Sequence, residues 1–137
     1  MAARIFMVLS ASIAFTLGAV HLAYTFWGPK LKPRDPTLEF TMRQTPPVIT
    51  SKTTMWRCWV GFNATHSMGL IFFGLVFTFL AIRGSQLLFQ SPFLLAVGLA
   101  VLAGYATLSG LYFFSTPFAG VSVSLACFVA SVALSRG

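Results

Sequence analysis

His21, Asn63 and His66 are the side chains of this sequence whose types and spacing are best suited to chemistry. An imidazole can ligate a metal, carry a proton or bond a polar ligand, and here each histidine belongs to a polar stripe at helical spacing. His21 stands with Gly18 and Thr25, while Asn63, His66, Ser67 and Gly74 fall at i, i+3, i+4 and i+11. A third stripe, Tyr105, Ser109, Tyr112 and Thr116, falls at i, i+4, i+7 and i+11. The candidate ligand-binding set is therefore His21, Tyr24, Asn63, His66, Ser67, Tyr105, Ser109 and Tyr112, with Arg57 as an anion anchor or gate at its mouth.

Several chemistries fit such a set. Opposed histidines on two helices can hold a haem iron if a flat macrocycle fits between them, and Gly18 and Gly69 flank this pair. A quinone, a sterol-like molecule or a lipid would use His21, Asn63, His66 and Tyr112 as polar contacts. Two histidines without neighbouring Cys, Asp or Glu make a poor non-haem metal site. No catalytic triad, phosphate loop or zinc motif is present, so an intramembrane enzyme would have to use His66 as its proton shuttle. The plain alternative is a buried hydrogen-bond network that fixes helix register.

The elements that position these residues follow from composition. Of 137 residues 57% are hydrophobic and 8% charged, with a mean hydropathy of +0.85; ordinary soluble domains carry roughly 25% charged residues. Such a chain needs lipid as its solvent. About 20 helical residues cross a hydrocarbon core, and four runs free of charge except for Arg57 near the start of the second have that scale: about 5–27, 56–82, 93–114 and 118–134. The fold class expected is all-α, a four-helix transmembrane bundle in a single domain. Pro92 opens the third span, Pro117 is expected to break the chain before a short fourth span, and Arg83-Gly84-Ser85 to turn it after the second. The first run exceeds the 7–15 apolar residues of a signal peptide, so it reads as an uncleaved span.

Helix rise converts sequence position into depth. His21 precedes Trp27 by six residues, about 9 Å at ~1.5 Å per residue, and His66 follows Trp59 by seven, about 10 Å, so the two can share a level. The third span ends on the same side, which predicts Tyr112 at a similar height. Packing between spans is expected at small-residue stripes: Ser10, Ala14 and Gly18; Ala96, Ala100 and Gly104; Ser122, Ala126 and Ala130.

The one long loop, 28–54, holds both acidic residues, Asp35 and Glu39. Asp35-Pro36 reads as an N-cap and first turn of a short surface helix edged by Leu38 and Met42; Pro46-Pro47 ends it, and Thr53 or Thr54 caps the second span. Lys30, Lys32, Arg34, Arg43, Lys52 and Arg57 lie on this side against Arg4, Arg83 and Arg136 on the other, which predicts a cytoplasmic loop. The net charge of +7 therefore points to membrane lipids rather than nucleic acid. Cys58 and Cys127 read as free thiols in different spans.

The segment Trp56-Arg57-Cys58-Trp59-Val60-Gly61-Phe62-Asn63-Ala64-Thr65-His66-Ser67-Met68-Gly69 resembles an uncharacterised family of small four-span bacterial membrane proteins. The likeness extends to Gly18-Ala19-Val20-His21-Leu22, to Pro33-Arg34-Asp35-Pro36 and to Tyr105 through Pro117. It implies the four-span fold and a bacterial cytoplasmic membrane, and carries no reaction. A second likeness, architectural only, is to the sterol isomerase and sigma-2 receptor superfamily, whose intramembrane pockets depend on buried carboxylates that these spans lack. The function expected is noncatalytic: an accessory subunit of a larger membrane complex or homo-oligomer, or a binder of a small lipophile on the loop side. A bis-histidine haem or quinone redox protein is the alternative.

Overall fold

A bilayer offers the backbone no water to bond, so a spanning chain must satisfy its amides within helices. The computed structural model, which describes all of Met1–Gly137, is built of helices alone: α1 (Ala2–Phe26), α2 (Pro36–Gln44), α3 (Met55–Arg83), α4 (Ser85–Gln90), α5 (Pro92–Tyr112) and α6 (Ser115–Arg136). Four of these, α1, α3, α5 and α6, have 25, 29, 21 and 22 residues and are apolar enough to cross a membrane. The protein is thus an all-α, multi-pass integral membrane protein.

The chain forms two compact units. Met1–Leu17 with Leu70–Gly137 make the first, and Gly18–Gly69 the second, so α1 and α3 each supply a segment to both.

In the first unit Met7, Ala11 and Ala14 of α1 pack with Leu70, Phe73, Phe77 and Ala81 of α3, Leu88 of α4, Leu95 and Leu102 of α5 and Phe128 of α6. Phe73 and Phe77 stack with centroids 4.4 Å apart, and Phe128 meets Phe77 edge-on at 5.6 Å. Gly98 makes room for that cluster, since a β-carbon there would lie 2.6 Å from the Phe77 and Phe128 rings. Serines join α1 to α6. Ser10 donates to the Ser124 carbonyl at 2.7 Å, Ser124 donates to the Ser10 carbonyl at 2.9 Å, and Ser131 donates to the Ala3 carbonyl at 2.7 Å. The steps from 3 to 10 and from 131 to 124 are both seven residues, so one antiparallel seam returns every two turns. Interhelical hydrogen bonds of this kind contribute about 0.6 kcal/mol each on average in membrane proteins.

Four expectations are corrected here. The fourth span is not short: α6 starts at Ser115, and Pro117 lies in its first turn, where its missing amide proton has no intrahelical partner to lose. The break falls at Phe113-Phe114, both extended. A further helix, α4, follows Gly84, held by buried Leu88; Ser91 closes it and caps α5 through a 3.3 Å bond from the Leu94 amide. Of the three small-residue stripes, Ser10, Ala14 and Gly18 are buried, but Ala96, Ala100 and Gly104 are exposed, and Ser122, Ala126 and Ala130 are at most half-buried. The buried faces are Leu95, Gly98, Leu102, Ala106 and Ser109 on α5, and Val121, Ser124, Phe128 and Ser131 on α6. Gly98, Leu102 and Ala106, like Ser124 and Phe128, each lie two residues beyond a position of the expected stripe, about 200° around the helix.

Gly74 tests this packing. A β-carbon there would sit 2.5 Å from Phe15 Cβ and 2.7 Å from the Ala11 carbonyl oxygen, while one on Gly104 would meet nothing within 4 Å. Gly74→Ala is expected to destabilise the fold by about 1–3 kcal/mol, as overpacking against backbone does, and Gly104→Ala to be tolerated; thermal unfolding in detergent, followed by circular dichroism, measures both.

Candidate functional site

The second unit carries the histidines. Its helical frame begins where Thr54 caps α3, the Thr54 hydroxyl accepting from the Arg57 amide at 3.4 Å and its carbonyl from Cys58 at 3.0 Å. Two turns on, Asn63 occupies a helix interior, a position its amide disfavours unless it finds local bonds. It bonds back along the helix, its Nδ2 donating to the Trp59 carbonyl at 2.8 Å. That use of the nitrogen turns Oδ1 toward α1, where it lies 3.0 Å from His21 Nε2. Oδ1 can only accept, so the network assigns the His21 proton to Nε2. Thr25 donates to the His21 carbonyl at 2.9 Å and Ser67 to the Asn63 carbonyl at 2.8 Å. The His66 ring meets His21 edge-on, with centroids 5.4 Å apart at 64°.

This contact fails the geometric test for haem. Axial ligation places a macrocycle between two opposed imidazoles; here the rings touch and His21 Nε2 is committed to Asn63. No three metal-ligating side chains converge elsewhere in the chain.

Above the network the loop is tied down. Trp59 Nε1 donates to the Leu31 carbonyl at 3.0 Å, the Lys30 ammonium lies 4.8 Å from the Tyr24 ring, and Met55 donates to the Thr45 carbonyl at 2.8 Å. Asp35 accepts from the Thr37 amide at 2.8 Å and caps α2, so the expected short helix of the loop is present, and it stops before Pro46-Pro47. The Thr37 hydroxyl and amide hold the Asp35 carboxyl below its ordinary pKa. Arg43, at 2.7 Å, does the same for Glu39, which also faces Lys32 at 3.8 Å. Arg43 in turn stands 4.5 Å from the centre of the Trp56 ring, and Arg57 is exposed. Tyr24, Thr25, Leu31, Lys32, Trp56, Trp59, Val60 and Asn63 line a cleft of about 260 Å³, counting space open to the surroundings.

No family model, curated protein or solved structure matches this chain.

Of the expected set, His21, Tyr24, Arg57, Asn63, His66 and Ser67 lie in this unit, and direct contacts join His21 to Asn63 and His66, and Asn63 to Ser67. Tyr105, Ser109 and Tyr112 belong to the other unit on α5, with Ser109 buried, Tyr105 half-buried and Tyr112 75% exposed. Sequence reasoning missed Leu31, Lys32 and Arg43, whose roles arise from loop folding rather than helical spacing. Asn63→Leu removes both amide bonds and is expected to cost about 1 kcal/mol and to raise the rate at which diethylpyrocarbonate modifies His21. Unchanged stability and reactivity would show that the 3.0 Å contact carries no weight.

Proposed function

We propose that this chain is a noncatalytic accessory membrane protein that docks onto a larger membrane complex through its loop-side unit. The observation that carries this reading is the tip of the loop. Val48 and Ile49 are 109% and 90% exposed, immediately after Pro46-Pro47, on a segment that is otherwise pinned to α1 and α3. The Thr50 amide closes a turn onto the Pro47 carbonyl at 3.2 Å, with the apolar pair at its centre. A preorganised apolar tip, flanked by Lys52 and Arg43, loses little entropy on binding.

Gentle extraction from native membranes, followed by native electrophoresis and mass spectrometry, tests it. The protein is expected to migrate with stoichiometric larger subunits, and Val48→Ser with Ile49→Ser to weaken that association about tenfold or more without changing its melting temperature. Migration as a lone chain would overturn the proposal.

A second reading, a small amphiphile bound with its polar group at the loop-side cleft, is favoured by one observation: Lys32 stands with Trp56 and Trp59 around the cleft that reaches Asn63. An absorption spectrum and lipid-extract mass spectrometry beside Lys32→Ala distinguish it, since a stoichiometric lipophile lost in the variant would support it. We place the loop in the cytoplasm on the six-to-three excess of basic residues. In a Cys127→Ser background, a membrane-impermeant maleimide is then expected to label exposed Cys58 only after cells are opened.

A further inference from the structure

The first unit holds a groove that none of the foregoing uses. Pro92, Leu95, Ala96 and Leu99 of α5 face Phe128, Val129, Val132, Ala133 and Arg136 of α6 across about 810 Å³, counting space open to the surroundings. Its origin is the side-chain size. Ala96 and Ala133 are exposed small residues between larger neighbours, so the surface dips between the two helices. From Phe128 to Arg136 is eight residues, about 12 Å at ~1.5 Å per residue, well short of the roughly 30 Å over which a spanning helix packs.

Eight of the nine lining residues are apolar, and the ninth is a cation at one end. Pro92 is the first residue of α5 and Arg136 the last of α6, so the cation stands at the helix ends while Leu99 and Phe128 lie deepest. This unit contains no Asp or Glu: the only two acids, Asp35 and Glu39, lie within Gly18–Gly69 and are engaged there by Thr37, Arg43 and Lys32. Arg136 therefore has no carboxylate side chain of its own unit to pair with. A hydrocarbon slot of two turns with an unopposed guanidinium at its interfacial end has the polarity of one phospholipid: chain inward, phosphate outward.

We propose that the α5–α6 groove binds an acyl chain of an anionic phospholipid whose phosphate is held by Arg136. Bidentate geometry suits guanidinium to phosphate, and a net negative headgroup adds the attraction that a zwitterionic one lacks.

The test uses the full chain in nanodiscs of equal parts phosphatidylglycerol and phosphatidylcholine, with lipids retained after release counted by native mass spectrometry. One phosphatidylglycerol per chain is expected to be retained in preference to phosphatidylcholine. Arg136→Gln, at an exposed helix end where folding is not at stake, should reduce that preference about fivefold, the worth of one basic side chain at an anionic surface. Ala133→Leu, which fills the groove and leaves the charge in place, should lower retention of both lipids. Retention unchanged in either variant overturns the proposal. So does a dimer that Ala133→Leu dissociates, because a second copy would then occupy the groove.

Discussion

Inside a bilayer a polar group has no solvent to fall back on, and the rest of this structure depends on how each one is matched within the protein. The serines show the effect most directly. Ser10 and Ser124 are fully buried and exchange hydroxyl-to-carbonyl bonds, and Ser131 reaches the Ala3 carbonyl from the same face of α6. Apolar contact alone would discriminate poorly between faces of α6, because lipid tails solvate leucine and valine as well as a neighbouring helix does. Hydrogen-bonding groups discriminate sharply, since any other rotation of α6 would leave these hydroxyls and carbonyls without the partners they have. Polar matching therefore sets the rotation of a helix whose apolar residues are spread over its whole circumference.

Asn63 applies the same logic in the other unit. Its amide nitrogen is consumed by the Trp59 carbonyl, and its oxygen is consequently presented to His21. One side chain thus links α3 to α1 and fixes the tautomer of an imidazole. The edge-on contact of His66 with His21 completes a compact polar cluster without space for a macrocycle. The aromatic and basic residues above extend that order outward, with Lys30 on Tyr24 and Arg43 on Trp56 converting flexible cations into fixed ones.

Small residues serve two ends in this chain. Where they are buried, as at Ala11 and Gly74, they admit close backbone approach, and at Gly98 they admit two phenylalanine rings. Where they are exposed, as at Ala96 and Ala133, they shape the outer surface into a groove instead. Composition and spacing are similar in the two cases. Only the neighbours decide whether a missing side chain becomes a contact or a recess.

By itself the sequence determined the class, the number of spans and the capped helix in the loop. Long apolar runs are legible because a bilayer accepts nothing else over that length, and the Asp35-Pro36 cap and Pro46-Pro47 stop are legible because they act within a few residues. The pairing of His21 with a residue near His66 was approachable from depth alone, since helix rise is constant. Tertiary structure decided the rotations of α5 and α6 and the partner of Trp56. Each depends on contacts between residues far apart in the chain: Ser124 with Ser10, Gly98 with Phe128, Arg43 with Trp56. In a helix that is apolar all round, periodicity carries no signal for which face is inward, so that choice rests on a few hydroxyls and glycines meeting their partners.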